Sequence, residues 1–305
     1  MVRILFFIGF LFVSVLAYCQ DNVHWTSTPD SLSKKRLTLV STTALSAATL
    51  TFVGLNELWY KDYPKSSFHT FNDWGEWEGV DKVGHGFSSY YAGVVGYHSM
   101  RWTGLSENKS LVFGATWGLV WLTSIEILDG FNEQWGFSWG DMTANAIGSG
   151  LFIGQQLAWG EQRILPKFSY HTTEFASVRP NLLGSSFTEQ LFKDYNGQTY
   201  WLSTNIHSFL SNSSKFPKWV SVSVGYGATG MIGGNSNPKY DDGGYVYPTY
   251  DRYSQFYLSL DLDLQRIKTK SRFLNSVLVG LSWIKIPFPT LEFNKNGVVF
   301  HPIYF

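Results

Sequence analysis

Two periods of hydrophobic recurrence divide the chain. Between residues 37 and 159, apolar positions recur with helical spacing in four stretches: 37–59, 81–101, 109–128 and 139–159. Each is about 20 residues long, roughly the depth of a bilayer core at about 1.5 Å per residue. Short links join the last three, which favours antiparallel neighbours. A loop rich in Pro, Asn, Asp and Trp (60–80) separates them from the first. In the fourth stretch Ala146, Gly150 and Gly154 recur every four residues, a small-residue stripe of the kind that lets another helix approach closely.

Beyond Pro166 the period falls to two. Residues 219–226 alternate Val with Ser and Gly. In 255–264, Phe256, Leu258, Leu260, Leu262 and Leu264 face one way and Ser259, Asp261 and Asp263 the other. Such alternation marks half-buried antiparallel strands. Further strands are expected at 198–210, 273–286 and 297–305, with a long mobile loop at 233–251. Five or six strands are too few for a closed outer-membrane barrel, which needs about eight. A small sheet packed on the helices, or sitting on a membrane surface, fits better. The fold class is therefore α+β, an antiparallel bundle of about four apolar helices followed by a C-terminal antiparallel β domain. The expected divisions are a signal peptide (1–19), a polar linker (20–36), a helical domain (37–165), a connector (166–197) and a β-rich domain (198–305).

Composition sharpens the setting. Aromatic residues make up 18% of the chain and charged residues only 15%, with 23 basic against 23 acidic. The balance argues against nucleic-acid binding, which needs a basic excess, and the low charge argues against disorder. Aromatics in excess with charge in deficit suit a membrane–water boundary. Arg3, the apolar run 4–16 and Ala17-Tyr18-Cys19 form a secretory signal. Cleavage, lipidation of Cys19 and an uncleaved anchor are the three outcomes. Simple cleavage is preferred, because bulky Tyr18 stands where a lipoprotein signal wants a small residue. Cys19 is the single cysteine, so no disulfide and no cysteine zinc site is expected in the folded part. If all four helices crossed the inner membrane, the positive-inside rule would place the C-terminal domain in the cytoplasm. The export signal takes precedence, giving a membrane-associated, periplasm-facing protein with the outer membrane preferred to the inner.

Three motifs imitate chemistry. Gly225-Tyr-Gly-Ala-Thr-Gly230 matches a dinucleotide fingerprint but precedes loop sequence instead of a helix, so no nucleotide is expected. Gly136-Phe-Ser138-Trp-Gly140 matches a nucleophile elbow but lacks the preceding strand. Ser138, three residues before Asp141 and at the head of a helix, reads instead as an N-cap. Asp241-Asp242-Gly243-Gly244 lacks the spaced ligands of a calcium loop and reads as a turn.

One polar constellation persists. Asp81, Lys82 and His85 open the second helical stretch, Glu126 lies near the end of the third, and Asp141 and Asn145 open the fourth. Antiparallel links would bring these ends together. A carboxylate near a helix C-terminus opposes the macrodipole at about 0.3–1 kcal/mol, so Glu126 is expected to pair with His85 or Lys82. A structural network, a binding site for a lipid headgroup or envelope precursor, and a hydrolytic or metal site all fit the set. One histidine is a thin basis for a metal, and neither metal nor cofactor is expected.

The set Asp81-Lys-x-Gly-His85-x-x-Ser-Ser-Tyr90, Ile125-Glu126-x-x-Asp129-Gly130 and Trp135-Gly-Phe-Ser-x-x-Asp141-x-x-x-Asn145-x-x-Gly148 resembles the YfiM-type family. That is a domain of unknown function described as a predicted periplasmic lipoprotein. More distantly, the order of these residues resembles the membrane-embedded VanZ-like proteins associated with glycopeptide tolerance. The resemblance covers about residues 75–160 and carries over Asp81, Lys82, His85, Glu126, Asp141 and Asn145. It implies an envelope setting without a reaction. Binding or scaffolding of a membrane lipid or envelope component is preferred to catalysis; a lipid or cell-wall-precursor hydrolase and a purely structural protein are the alternatives.

Overall fold

The computed structural model describes residues 28–56, 61, 64–211, 213–241 and 243–305. The signal segment with Cys19, residues 20–27 of the polar linker and Asp242 lie outside them. The first helix, α1 (Lys34–Leu55), is capped by Ser33, whose Oγ accepts from the Arg36 amide at 3.4 Å. A two-residue strand β1 (Thr70–Phe71) is followed by α2 (Val80–Trp102) and the short α3 (Glu107–Ser110). A π turn (Leu111–Ala115) leads into α4 (Trp117–Asp129), and β2 (Phe137–Ser138) leads into α5 (Trp139–Trp159). Then come β3 (Ile164–Tyr170), the short helices α6 (Phe175–Val178), α7 (Pro180–Leu183) and α8 (Phe187–Lys193), β4 (Gln198–Asn205), β5 (Val220–Thr229) and β6 (Tyr253–Leu262). Helix α9 (Arg272–Gly280), β7 (Phe288–Asn294) and β8 (Gly297–Tyr304) complete the chain.

The molecule is thus mixed helix and sheet. Its C-terminal sheet is a six-stranded antiparallel meander, β3 to β8 in sequence order. The expectation of about four apolar helices is too simple, since short helices fill the connector and α9 interrupts the β region. Two expected positions are corrected. Residues 273–286 were expected as a strand, but Phe273, Leu274, Val277 and Leu278 repeat at helical spacing, and Ser271 Oγ accepts from the Leu274 amide at 3.2 Å. Strand β7 follows α9, and β8 lies where the strand at 297–305 was expected. Strand β3, placed partly in the helical domain, is the first strand of the sheet. The loop at 233–251 is tied at its base: Asn237 Nδ2 donates to Gly230 O at 2.7 Å and Arg252 to Gly233 O at 3.0 Å.

The described residues form two compact units interleaved along the sequence. The helical unit takes the residues up to Asn72, His85–Gln162 and Lys270–Gly280. The sheet unit takes Asp73–Gly84, Arg163–Thr269 and Leu281–Phe305.

In the helical unit, glycines set the crossings. A Cβ on Gly114 would lie 2.4 Å from Gly96 O, and one on Gly118 would lie 2.3 Å from Ser89 O. Numbers fall along α2 as they rise toward α4, so these two run antiparallel. A Cβ on Gly148 would lie 2.0 Å from Gly86 O, while Gln156 bonds Tyr97, so α5 runs parallel to α2. Among the described residues nothing packs on the stripe Ala146, Gly150 and Gly154: Ala146 is exposed, and no atom lies within 4 Å of a Cβ built on either glycine. The helix turns Gly148, Ser149 and Phe152 inward instead, because those positions meet the backbone of α2. Among the described residues, two helical stretches, Lys34–Leu55 and Glu107–Asp129, are long and apolar enough to cross a membrane.

In the sheet unit the buried face mixes an aromatic cluster (Trp201, Tyr257, Tyr304) with polar and charged groups, and the other face exposes apolar residues. Lys167, Asp261, Lys285 and Ser223 are buried, while Phe256, Leu258 and Leu260 are exposed. Asp261 holds the interior together, accepting from Lys167 Nζ at 2.8 Å and Ser203 Oγ at 2.7 Å. Gly225 and Gly227 of the apparent nucleotide motif belong to β5, and a Cβ on Gly225 would strike the Trp201 ring at 2.6 Å. These glycines make room for an indole.

Candidate functional site

Helix α2 starts from a left-handed turn. Trp77 (φ 52°), Glu78 (φ 52°) and Gly79 (φ 77°) are consecutive. For residues with a Cβ this conformation costs on the order of 1–3 kcal/mol each, so neighbours must hold it. The Trp77 amide donates to Gly234 O at 3.0 Å, the Tyr226 hydroxyl donates to Glu78 O, and Arg252 Nε donates to the Glu78 carboxylate at 3.0 Å. Asp81 and Lys82 follow at once. Lys82 Nζ donates to Asp73 Oδ2 at 2.7 Å and to Asp81 Oδ2 at 3.0 Å, and the Tyr195 hydroxyl donates to Asp81 Oδ1 at 2.6 Å. Lys82 is therefore neutralised by two carboxylates. It is not placed to bind an anion alone.

His85 lies one turn after Asp81 on the same helix, so both project from one side of α2. Within the helical unit, His85 Nδ1 is 3.3 Å from Asn145 Oδ1, and Nε2 is 3.7 Å from Asp141 Oδ2. An amide oxygen only accepts, so Nδ1 carries the proton and Nε2 is turned toward the Asp141 carboxylate. Ser89 Oγ donates to Asn145 O at 2.7 Å and lies 2.8 Å from Ser149 Oγ. Asn145 is 0% exposed, and its Nδ2 finds no hydrogen-bond partner among the described residues.

Ser138 does what its position suggests: its buried Oγ accepts from the Asp141 amide at 2.9 Å as the N-cap of α5. One detail differs from expectation. Ser138 is itself the second residue of a two-residue strand, β2, paired in parallel with β1. Ser138 has φ −96°, so it lacks the strain of a nucleophile elbow, and its hydroxyl is engaged in the cap.

Glu126 is 2% exposed in the last turn of α4, with Asp129 buried three residues on. The antiparallel run of α4 against α2 carries this turn toward the end of α2 that bears His85. Ser89, Ser149, Asp73 and Tyr195 escaped the sequence reading. The two serines stand four residues after His85 and Asn145, a same-face spacing that was available as a signal. Asp73 and Tyr195 lie outside the helices, where no periodicity marks them.

Chemically, Asn145 fixes the imidazole and Asp141 faces its second nitrogen, an arrangement able to hold or move a proton.

No curated protein and no solved structure matches the chain. Residues 69–153 match the model of a family described as "Predicted periplasmic lipoprotein (DUF2279)", a match that spans α2, α4 and most of α5 and supports an exported, periplasm-facing protein. It bears on neither the YfiM designation, nor the VanZ-like relation, nor a choice between outer and inner membrane.

Proposed function

We propose that this chain is a membrane-associated envelope protein whose helical unit binds the headgroup of a lipid or envelope precursor at the His85–Asn145–Asp141 cluster. The observation that carries the reading is the buried Asn145 amide. Its oxygen is committed to His85, while its Nδ2 donor is left without a partner among the described residues. A buried unsatisfied donor costs about 1–3 kcal/mol, and a ligand oxygen would recover it. The Asp141 carboxylate beside His85 favours a headgroup with hydroxyl or amine groups over a bare anion. Export and membrane association agree with the family match and with the two apolar helices; the outer membrane is our preferred location.

The test is lipid mass spectrometry on purified protein. Asn145→Leu keeps the side-chain volume but removes the donor, and it should lose co-purified headgroup lipid at least about tenfold, equivalent to about 1.4 kcal/mol, while the protein stays folded. Unchanged lipid in folded Asn145→Leu would end the reading. The hydrolase alternative rests on the His85–Asp141 pair. It would show as precursor turnover abolished by His85→Ala with binding retained.

A further inference from the structure

The register of the sheet aligns residues in rows across all six strands. One row runs Pro166, Leu202, Val224, Leu258, Leu291, Phe300. The neighbouring row on the opposite face runs Leu165, Ser203, Ser223, Ser259, Thr290, His301. In a soluble sheet the apolar row would be buried and the polar row wet. Here the reverse holds. Val224 is 53% exposed and Phe300 61%, whereas Ser203, Ser223 and Thr290 are buried. A third row, on the same face as Val224, runs Phe168, Tyr200, Tyr226, Phe256, Phe293, Val298; Phe256 and Phe293 are exposed, while Tyr200 and Tyr226 are half-buried against Val80 and Met231. No charged side chain stands on this face in β4 to β8.

Polar groups inside, apolar residues outside and aromatics at one margin give the polarity of a sheet whose solvent is lipid. The charges at the other margin agree. Loops 206–219 and 263–269, which begin where β4 and β6 end, carry exposed Lys215, Lys218 and Lys268, and their one acidic residue, Asp263, is buried. Cations beside an uncharged apolar face complement anionic headgroups. A shallow apolar groove of about 290 Å³ crosses the face between Val222, Leu260, Pro289 and Phe300.

We infer that the outer face of the six-stranded sheet seats in the hydrocarbon of a bilayer, with its lysine-bearing loops against anionic headgroups. This site is separate from the helical cluster and does not depend on what that cluster binds.

The full-length chain carrying Cys19→Ser is labelled with a polarity-sensitive fluorophore at Val224→Cys, Leu258→Cys or Phe300→Cys. Each is reconstituted in phosphatidylethanolamine–phosphatidylglycerol vesicles. Because all three positions are exposed, the substitutions should leave the fold intact, which circular dichroism verifies. The probes should shift to the blue and lose most of their emission to lipids carrying an acyl-chain nitroxide, with little quenching by aqueous iodide. A probe at exposed Asp251→Cys should behave in the opposite way. Iodide quenching at Val224, Leu258 and Phe300 would overturn the inference. So would protection from both quenchers together with energy transfer between labelled copies, which would identify a second chain as the occupant. Nitroxide quenching should weaken when phosphatidylcholine replaces phosphatidylglycerol; equal quenching would overturn the role given to the lysine loops.

Discussion

At the scale of single residues, the buried carboxylate Glu126 is the most exposed to test. It opposes the dipole of α4 and lies in the last turn of that helix, which the glycine crossings carry toward His85. We expect Glu126 and His85 to be coupled. A double-mutant cycle of Glu126→Ala and His85→Ala, read by chemical denaturation, should give a coupling above about 0.5 kcal/mol. Additive losses would leave Glu126 with other partners and reduce the converging ends to helix caps. Lys82 teaches a related lesson. The sequence presents it as a cation available to a ligand, but Asp73, from the loop before the helix, already neutralises it. A loop carboxylate has no periodic signature, so that partner could not be read from spacing.

At the scale of elements, helix ends and strand alternation were legible, and helix faces were not. The stretches 81–101 and 139–159 fall within a residue or so of α2 and α5, because the apolar period is clear in both and Ser138 caps α5. The small-residue stripe failed because α5 has small residues on two faces, and only contact with α2 distinguishes them. This separates two substitutions of equal chemistry. Gly148→Ala puts a Cβ 2.0 Å from Gly86 O and should destabilise by about 1–3 kcal/mol. Gly150→Ala meets nothing within 4 Å and should be neutral or stabilising by up to about 1 kcal/mol through helix propensity. Thermal unfolding of the two variants checks the contrast. Residues 273–286 show the opposite limit: a short apolar run fits either period, and the Ser271 cap was the clue that decided for a helix. The alternation in β6 was read correctly as two faces, but period alone does not say which face is wet.

At the scale of the whole molecule, the charged interior of the sheet makes stability depend on pH. Burial pushes Lys285 down to about 8, with Lys167 adding repulsion and Asp261 only partly offsetting the loss of water. Above that value the folded chain releases this proton while the unfolded chain, at its ordinary value near 10.5, still holds it. The unfolded state then binds more protons, so stability rises with pH through this window. Between about pH 7 and about pH 9.5 the denaturation midpoint should climb, and Lys285→Met should flatten the climb. An equal climb in the variant would assign it to other groups. The left-handed turn before α2 has a consequence of another kind. Its backbone is closed by Tyr226 and Arg252, which lie 148 and 174 positions further along the chain than the Glu78 they hold. During synthesis from the N-terminus, Asp81 and Lys82 are therefore made long before the residues that fix the start of their helix. A fragment ending after α5 would contain every residue of the family match and still lack the clasp for that turn. Completion of this corner must await the emergence of the sheet, so its assembly is timed by the last third of the chain.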